Sequence, residues 1–330
     1  MAKYILKRIL LMIPVILGVV LIVFCIIRMA PGDPATALMS VGATEEELQA
    51  KRVELGLDKP FVVQFLLYVK NFVLHFDLGD SYQTGLPVTG EILKRFPITF
   101  LLGASSVLIS LVIGIPFGII SATKQYSGMD YGVTFVSLIL ASIPGFWFSL
   151  MLILLFALKL QWFPVAGLEE GWRSWVLPIL AMGGYPIATI CRTTRSSMLE
   201  VVRQDYIRTA RAKGLDESVV IKRHALRNSL IPIIAVAGLQ MGYVIGGTVV
   251  IESIFSIPGI GSLLITAITS KDYNIVQGCV LIMSMFICVM NLLVDIMYSF
   301  VDPRIKAVYS SGKKLKAAKR DLKEPEEEVA

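Results

Sequence analysis

The side chains of this sequence that could bind a metal or act as nucleophiles are few and widely separated. Its histidines are His75 and His224, and its four cysteines are Cys25, Cys191, Cys279 and Cys288. All four cysteines lie in apolar runs, where a thiol packs as a small hydrophobic group. Because metal sites built from cysteine and histidine need closely spaced ligands, we expect no metal centre.

Motifs for nucleotide hydrolysis or covalent catalysis are also missing. The sequence contains no Gly-x-x-x-x-Gly-Lys-Ser/Thr phosphate loop, no His-Glu-x-x-His run and no Gly-x-Ser-x-Gly elbow. Asp295 is the one acid clearly inside an apolar stretch, and it has no obvious partner at similar depth; an acid near Asn291 more often holds helices together than catalyses. We expect no enzyme activity and no cofactor in this chain, so energy for work must come from an ion gradient or another subunit.

The segment 204–232 has the most informative local pattern. Asp205 can cap a short helix from Tyr206 to about Lys213, and Gly214 is a natural C-terminal stop. Asp216 can cap a second helix that runs to position 228, after which position 232 opens the next apolar stretch.

One face of the first short helix is suited to binding another protein. Tyr206, Ala210 and Gly214 share this face at i, i+4 spacing, so it is aromatic at one end and nearly free of side chains at the other. Arg208, Arg211 and Lys213 surround it and can pair with acidic groups. The alternative is a solvated basic loop, which charge alone would favour but which does not require the small-residue face.

The composition of the sequence indicates that the 204–232 segment belongs to a membrane protein. Of the 330 residues 55% are hydrophobic and only 17% are charged, with a mean hydropathy of +0.71. This fraction of charged residues is too low to cover the surface of a soluble globular protein of this size. The composition excludes a soluble enzyme and a disordered chain, and it predicts an all-α integral membrane protein.

Six stretches are long and apolar enough to cross a bilayer as helices. They cover residues 9–27, 96–123, 131–158, 174–191, 228–251 and 273–294. Residues 61–76 are a seventh apolar stretch, but it is short and contains Lys70 and His75, so we expect an amphipathic helix on or beside the membrane. The first stretch ends without a small-x-small cleavage site, which favours an uncleaved anchor over a signal peptide.

Charge asymmetry predicts the orientation. Residues 192–227 hold nine basic and four acidic side chains, whereas residues 31–95 hold six basic and nine acidic ones. Basic loops stay in the cytoplasm. Six spans therefore place both termini and the 192–227 loop in the cytoplasm, with a long external loop after the first span.

Two spans have glycines and prolines that could form a translocation path. The fourth contains Pro178, Gly183, Gly184, Tyr185 and Pro186, and we expect it to be the least regular helix, because broken helices at membrane depth line cavities. The fifth contains Gly238, Gly242, Gly246 and Gly247, for which we favour helix packing over lining. Glu252, at the outer end of the fifth span, is either a gate group or an interfacial charge.

The whole chain resembles the permeases of binding-protein-dependent ABC importers, in particular the dipeptide, oligopeptide and nickel group. Ala210-Arg-Ala-Lys-Gly214-Leu215, followed by His224-Ala-Leu-Arg-Asn228 and Pro232, is similar to their cytoplasmic coupling loop, although Arg208 and Thr209 stand where the general signature has Glu and Ala. Further matches are Arg28-Met-Ala-Pro-Gly-Asp-Pro34, Leu55-Gly-Leu-Asp-Lys-Pro60, Asp77-Leu-Gly-Asp-Ser81, Ser256-Ile-Pro-Gly-Ile-Gly261, Asn291-Leu-Leu-Val-Asp295 and Val301-Asp-Pro-Arg-Ile305.

The resemblance implies a mechanism and a set of partners. Such permeases pair with a second, homologous permease subunit, two ATPase subunits that bind ATP and Mg, and an extracytoplasmic substrate-binding protein. Residues 206, 208, 210, 211 and 213–215 would then couple ATP hydrolysis to alternating access. The external contact would involve Asp77, Gly79, Asp80, Ser81 and Tyr82.

The resulting prediction is a peptide importer subunit in the bacterial inner membrane that contacts lipid and no nucleic acid. It has three parts: residues 1–95 with the first span and external loop, a core at 96–303 with the coupling loop at 192–231, and a disordered cytoplasmic tail at 304–330. Import of nickel or another small solute remains an alternative. So do an ion-gradient-driven carrier, which the shortage of ionisable groups in the spans disfavours, and a membrane scaffold.

Overall fold

The computed structural model of the chain describes residues 2–29, 35–36, 39 and 43–301; the predicted tail at 304–330 lies outside them. The described residues form helices joined by short segments, and no strand occurs among them beyond an isolated bridge between Asp80 and Pro87. The helices are α1 (Ala2–Met29), α2 (Glu45–Glu54), α3 (Phe61–His75), α4 (Val88–Thr123), α5 (Gly128–Ser142), α6 (Gly145–Leu152), α7 (Arg173–Val202), α8 (Asp205–Ala212), α9 (Glu217–Val219), α10 (Leu226–Ile254), α11 (Ile260–Thr269) and α12 (Tyr273–Val301).

The all-helical prediction is confirmed, and several helices have the length and composition of membrane spans. Five continuous helical stretches qualify, and α5 with α6 makes a sixth if this bent pair counts as one span. By contrast, α3 has 15 residues and α11 has 10, too few to cross a bilayer core of about 30 Å. The 61–76 stretch therefore forms a short helix and not a seventh span, while its position on or beside the membrane stays a prediction.

The third predicted span, 131–158, is not one continuous helix. It breaks between Ser142 and Gly145, where the two helix axes meet at 107°. Ile143 is extended, with φ −77° and ψ 128°, because the ring of Pro144 disfavours a helical conformation in the preceding residue. After α6 the chain continues as a π-helical turn, Ile153–Lys159.

The prediction that the fourth span is the least regular helix is wrong, because α7 runs unbroken from Arg173 to Val202. Its glycines serve close packing. A Cβ on Gly183 would lie 3.4 Å from Ser110 Oγ of α4, and one on Gly184 would lie 3.1 Å from Phe148 of α6. Pro186 lies buried within the same helix.

Small residues let the long helices approach closely. On α4, a Cβ at Gly118 would lie 2.5 Å from the Cβ of Thr194 in α7. On α10, a Cβ at Gly238 would lie 2.2 Å from Val294 of α12. Packing of this kind is typical of Gly-x-x-x-Gly helices in membranes. The packing interpretation of the fifth-span glycines therefore holds at Gly238.

Asp295 does have a partner, contrary to the reading of the sequence. Arg8 Nη1 of α1 lies 2.9 Å from Asp295 Oδ2 of α12. The sequence could not pair them because they are 287 positions apart and only helix packing brings them together. The contact places the start of α1 beside the end of α12. Along α10, Gly242 lies against Asn291 and Gly238 against Val294, so α12 runs antiparallel to α10 and its end lies toward the start of α10. Since α8 precedes α10, we call this the α8 end.

Candidate functional site

The short helix predicted in the 204–232 segment is present as α8, with shifted boundaries. It begins at Asp205, so Asp205 is a first-turn residue and the cap position belongs to Gln204, whose side chain makes no capping hydrogen bond. An acid in the first turn still favours the helix through its dipole. The helix ends at Ala212, and Gly214 has φ +75°, a left-handed conformation that glycine adopts without strain.

The face of α8 that contacts the rest of the chain differs from the predicted one. Ala210, expected on the outward face, is 7% exposed, and Ile207 is completely buried. Both pack in a cluster whose other buried members are Ala122, Met198, Val220, Ile221 and Ala225. The reason is that Ile207 is the most apolar side chain of α8, and its burial carries Ala210, three residues on, inward with it.

The outward surface of α8 is therefore its charged and aromatic rim. Tyr206 is 43% exposed and the side chain of Arg208 is 74% exposed, with Asp205 3.7 Å away. Lys213, Gly214 and Leu215 are exposed as well. These residues remain available for a partner, whereas Ala210 does not.

Two polar contacts fasten α8 to the chain that follows it. Asn228 Nδ2 donates to Tyr206 Oη over 2.9 Å. Arg211 makes a bidentate ion pair with Glu217, at 3.0 and 2.7 Å. Within the described residues, Arg211 thus pairs with an acidic group of its own chain, and its predicted part in binding a partner stays a prediction. The hydrogen bonds that the Arg211 guanidinium donates to Glu217 raise the pKa of that guanidinium above its ordinary value.

The second helix of this segment is continuous with the next span. Asp216 caps α9 as predicted, accepting a hydrogen bond of 2.8 Å from Ser218 N. Hydrogen bonding from the side chain of Ser218, and then from its backbone, lowers the pKa of the Asp216 carboxyl. A π-helical turn, Val220–Ala225, then leads directly into α10. The predicted end at Asn228 and new start at Pro232 are both wrong, since the helical stretch runs from Glu217 to Ile254. The contacts of Tyr206 with Asn228 and of Arg211 with Glu217 therefore tie α8 to a long helical stretch.

A cavity of about 450 Å³ lies at the corner of the broken third span. Its lining includes Pro144 and Gly145 from the corner, Tyr185 from α7, and Tyr243 and Gly247 from α10. The rings of Tyr185 and Tyr243 lie 4.9 Å apart between centroids. The lining is thus apolar and aromatic, with two phenol hydroxyls.

The predicted path residues divide into those that line this cavity and those that do not. Gly184 and Tyr185 line it. Gly183 and Pro186 are buried in helix packing, and a Cβ on Gly242 would lie 3.8 Å from Asn291 of α12. Gly246 faces open space and is not part of the lining. The sequence reading missed Tyr243 and the Pro144 corner, although the Pro-Gly pair inside an apolar stretch is a signal for a break.

Glu252 is neither an open gate group nor an interfacial charge, because it is completely buried. Its carboxylate accepts hydrogen bonds from Thr99 Oγ1 over 2.6 Å and from Ser262 N over 2.9 Å. The loop wraps so closely that a Cβ on Gly259 or Gly261 would fall within 2.9 Å of the carboxyl group. Glu252 thus joins the end of α10 to α4 and to the start of α11.

The predicted external contact is only partly accessible. Asp77 and Asp80 are exposed, whereas Ser81 is 3% exposed and donates a hydrogen bond of 2.5 Å to Asp272 Oδ2. Gly79 packs beside Asn274, which also donates to the Asp80 carbonyl over 2.8 Å. Ser81 is therefore not available to another protein. It anchors the segment between α3 and α4 to the start of α12.

Tyr82 lies at a second cavity, of about 540 Å³, beside Arg28 and Tyr273. Burial raises the pKa of the Tyr82 phenol above its ordinary value. The ring is half-buried, so only part of it faces outward.

Within the described ranges, no group of three His, Cys, Asp or Glu side chains is arranged to hold a metal ion. The site consists instead of a fastened surface helix at one end and an apolar cavity in the bundle, joined by long helices.

This arrangement has the fold of ABC transporter membrane subunits. The chain aligns with an inward-facing methionine ABC transporter, MetNI, at a TM-score of 0.55 and 16% identity over 64% of this chain and 96% of that one. It also aligns with an amino acid ABC transporter crystallised with histidines, at a TM-score of 0.52 and 11% identity, covering 64% of this chain and 94% of that one.

The sequence comparison identifies the family. Residues 114–307 match the binding-protein-dependent transport system inner membrane component, and residues 1–103 match the N-terminal part of a binding-protein-dependent transport system membrane component. The chain belongs to this family of transport permeases, and the resemblance seen in the sequence is confirmed.

Two relatives cover nearly the whole chain. The oligopeptide transport system permease protein AppB of Bacillus subtilis is 41% identical, over 93% of this chain and 100% of its own length. The dipeptide transport system permease protein DppB of Escherichia coli K12 is 39% identical, over 93% of this chain and 99% of its own length.

Proposed function

We propose that this chain is a permease subunit of an ABC importer that moves short peptides across the bacterial inner membrane. Relatives about 40% identical over nearly their whole lengths are named as oligopeptide and dipeptide permeases. The aromatic, apolar cavity at the Pro144 corner suits the side chains of peptides better than it suits a hydrated metal ion. Nickel as cargo therefore receives no support from the cavity.

The proposed topology has six spans with both termini in the cytoplasm. It counts α5 and α6 with its π-helical turn as one broken span, and it is supported by the basic excess in residues 192–227. The Arg8–Asp295 contact adds independent support, because it puts the start of α1 and the end of α12 at the end of the bundle where α8 lies.

The proposed mechanism is supported mainly by the way α8 is held against the rest of the chain. Ile207 is buried in the ends of the long helices, while Arg208 and its exposed neighbours face outward. A force applied to the exposed side of a helix held this way would be transmitted to α7 and α10 through its buried side. In this mechanism two partner ATPases bind ATP and Mg, close against α8, and switch the bundle between inward-facing and outward-facing states.

The remaining partners act at the other end and beside the bundle. A second homologous permease would complete the pathway next to the Tyr185–Tyr243 cavity, and a substrate-binding protein would deliver peptide from outside. Asp77, Asp80 and the exposed part of Tyr82 are the proposed contacts for that protein, since Ser81 faces inward.

Crosslinking tests the docking of α8. In the assembled transporter, with the four native cysteines replaced by serine or alanine, Arg208→Cys should crosslink to the ATPase subunit. The control is Thr84→Cys, which is exposed on the external loop at the opposite end and should give no such product. Absence of an ATPase crosslink from position 208 in correctly assembled transporter would refute the proposed coupling.

Reconstitution separates this function from an ion-gradient carrier. The chain alone in vesicles should take up no peptide under a proton or sodium gradient. Uptake should require the second permease, the ATPases, the binding protein and ATP. Gradient-driven uptake by the chain alone would favour the carrier.

A further inference from the structure

An ion pair between α5 and α7, near the α8 end of the bundle, has no part in the candidate site; its Asp130 is buried and its Arg195 is partly exposed. Arg195 of α7 donates from Nε to Asp130 Oδ1 over 2.8 Å and from Nη2 to Asp130 Oδ2 over 2.9 Å. Asp130 is the third residue of α5, and it is 2% exposed. Ser121 of α4 donates its hydroxyl to Asp130 Oδ1, and the backbone N–H of Tyr126 donates to Oδ2 over 2.9 Å.

The carboxylate of Asp130 is fully engaged by this set. Oδ1 accepts from Arg195, from Ser121 and, over 3.5 Å, from Thr134, and Oδ2 accepts from Arg195 and from the backbone of Tyr126. Removing a charge from water is unfavourable unless its hydrogen-bonding groups are satisfied in this way. Because a well-packed apolar group could fill the same space at no loss of stability, the pair is better explained by what it positions than by what it stabilises.

The pair joins three helices at a point where packing alone is weak. Of the 15 residues of α5, only Asp130 and Ser137 are buried. Tyr131, Phe135 and Val136 are more than half exposed, so they face the surroundings of the bundle rather than α7. The bidentate contact to Arg195 is thus the strongest tie between α5 and α7 at this end.

The pair also lies next to the cluster that holds α8. Ser121 precedes Ala122, a member of that cluster, and Arg195 is one helical turn before Met198, another member. At its other end α5 stops at Ser142, about 18 Å away at 1.5 Å per residue, where the Pro144 corner lines the Tyr185–Tyr243 cavity. The ion pair therefore stands between the surface of α8 and the cavity.

We propose that Asp130 and Arg195 are a positioning pair that makes α5 move with α7, so that a displacement of α8 reaches the Pro144 corner of the cavity. This inference rests on the proposed function, in which α8 receives the movement of the ATPases. Without the pair, α7 and α10 still follow α8, but α5 and the corner lag behind. ATP hydrolysis then continues without productive opening of the cavity.

The test compares transport with hydrolysis in the complete, reconstituted transporter. Asp130→Asn and Arg195→Gln should each lower peptide uptake per ATP hydrolysed at least tenfold, with ATPase activity within twofold of the unchanged transporter. The double variant should be no worse than either single one, because both remove the same interaction. Asp295→Asn is the matched control: it breaks another ion pair between two long helices and should leave uptake per ATP within twofold.

A distance measurement gives a readout independent of transport. Spin labels at Val136 of α5 and Arg192 of α7, both exposed, should give a narrow distance distribution that broadens in Asp130→Asn. An unchanged distribution together with unchanged uptake per ATP would overturn the inference. So would an equal loss of uptake and ATPase activity, which would mark the pair as merely structural. Crosslinking from position 208 is unaffected by either outcome, so the two proposals fail separately.

Discussion

Asn228, two residues into the α10 helix, donates a hydrogen bond of 2.9 Å to the hydroxyl of Tyr206 at the start of α8. The bond spans 22 positions of sequence and closes the turn formed by α8, α9 and the π-helical segment. Together with the Arg211–Glu217 ion pair it makes this turn a single unit attached to a long apolar helix.

Removing the Tyr206 hydroxyl should loosen this unit without unfolding the protein. An exposed hydrogen bond contributes about 0.5–1.5 kcal/mol, so Tyr206→Phe should lower peptide uptake a few-fold while the protein inserts and purifies normally. Asn228→Ala should have the same effect, and the double variant should add little. Uptake by reconstituted transporter measures this. Fully additive losses would show that the two side chains act independently.

Truncating the buried anchor of α8 should release the helix. Ile207 is fully buried, and removing such a side chain typically costs about 2–5 kcal/mol. Ile207→Ala should therefore speed hydrogen exchange of the amides in residues 205–213. Thr209→Ala, on the exposed side of the same helix, is the control and should leave exchange unchanged. Equal protection in both variants would mean that the cluster does not hold α8.

Gly214 is expected to respond to backbone conformation rather than to side-chain volume. Its φ is +75°, and a Cβ there would meet no atom within 4 Å. Asparagine tolerates the left-handed region and tryptophan does not. Gly214→Asn should keep most ATP-dependent uptake, whereas Gly214→Trp should abolish it without loss of membrane insertion. Uptake that survives Gly214→Trp would contradict the role given to this turn.

Local signals in the sequence predicted the helical elements well. Apolar length identified the spans, Gly214 marked the end of α8, and Asp216 marked the cap of α9. Each of these depends only on residues a few positions away, because capping and helix propensity are local effects.

Features that depend on contacts between helices could not be predicted from the sequence. The inward turn of Ala210 depends on Ala122 and Met198, which come from other helices. The α7 helix stays unbroken at Gly183 because side chains of other helices, such as Ser110, pack against this glycine. The pairing of Asp130 with Arg195 spans 65 positions. No local pattern specifies such partners. The break at Pro144 was missed because the apolar run around it is long enough to predict one continuous span.

Glu252 should be required for stability where the end of α10 meets α4 and the start of α11. Glu252→Ala leaves the Thr99 hydroxyl without its acceptor and the Ser262 N–H unpaired, and each buried unpaired group costs about 1–3 kcal/mol. We expect a lower melting temperature of the purified protein. The neighbouring Ser253→Ala, at an exposed position, should melt as the unchanged protein does. Equal melting temperatures of the two variants would contradict a structural role for the Glu252 carboxylate.

Adjacent glycines allow a test of the cavity as the transport path. A Cβ on Gly246 or on Gly247 would meet no atom within 4 Å, but only Gly247 lines the Tyr185–Tyr243 cavity. Gly247→Leu should therefore place its side chain in the cavity and lower peptide uptake at least tenfold, while stability and ATPase activity are retained. Gly246→Leu adds the same volume outside the lining and should transport normally. Uptake measured side by side decides the point, since equal transport by both variants would mean that peptides pass elsewhere.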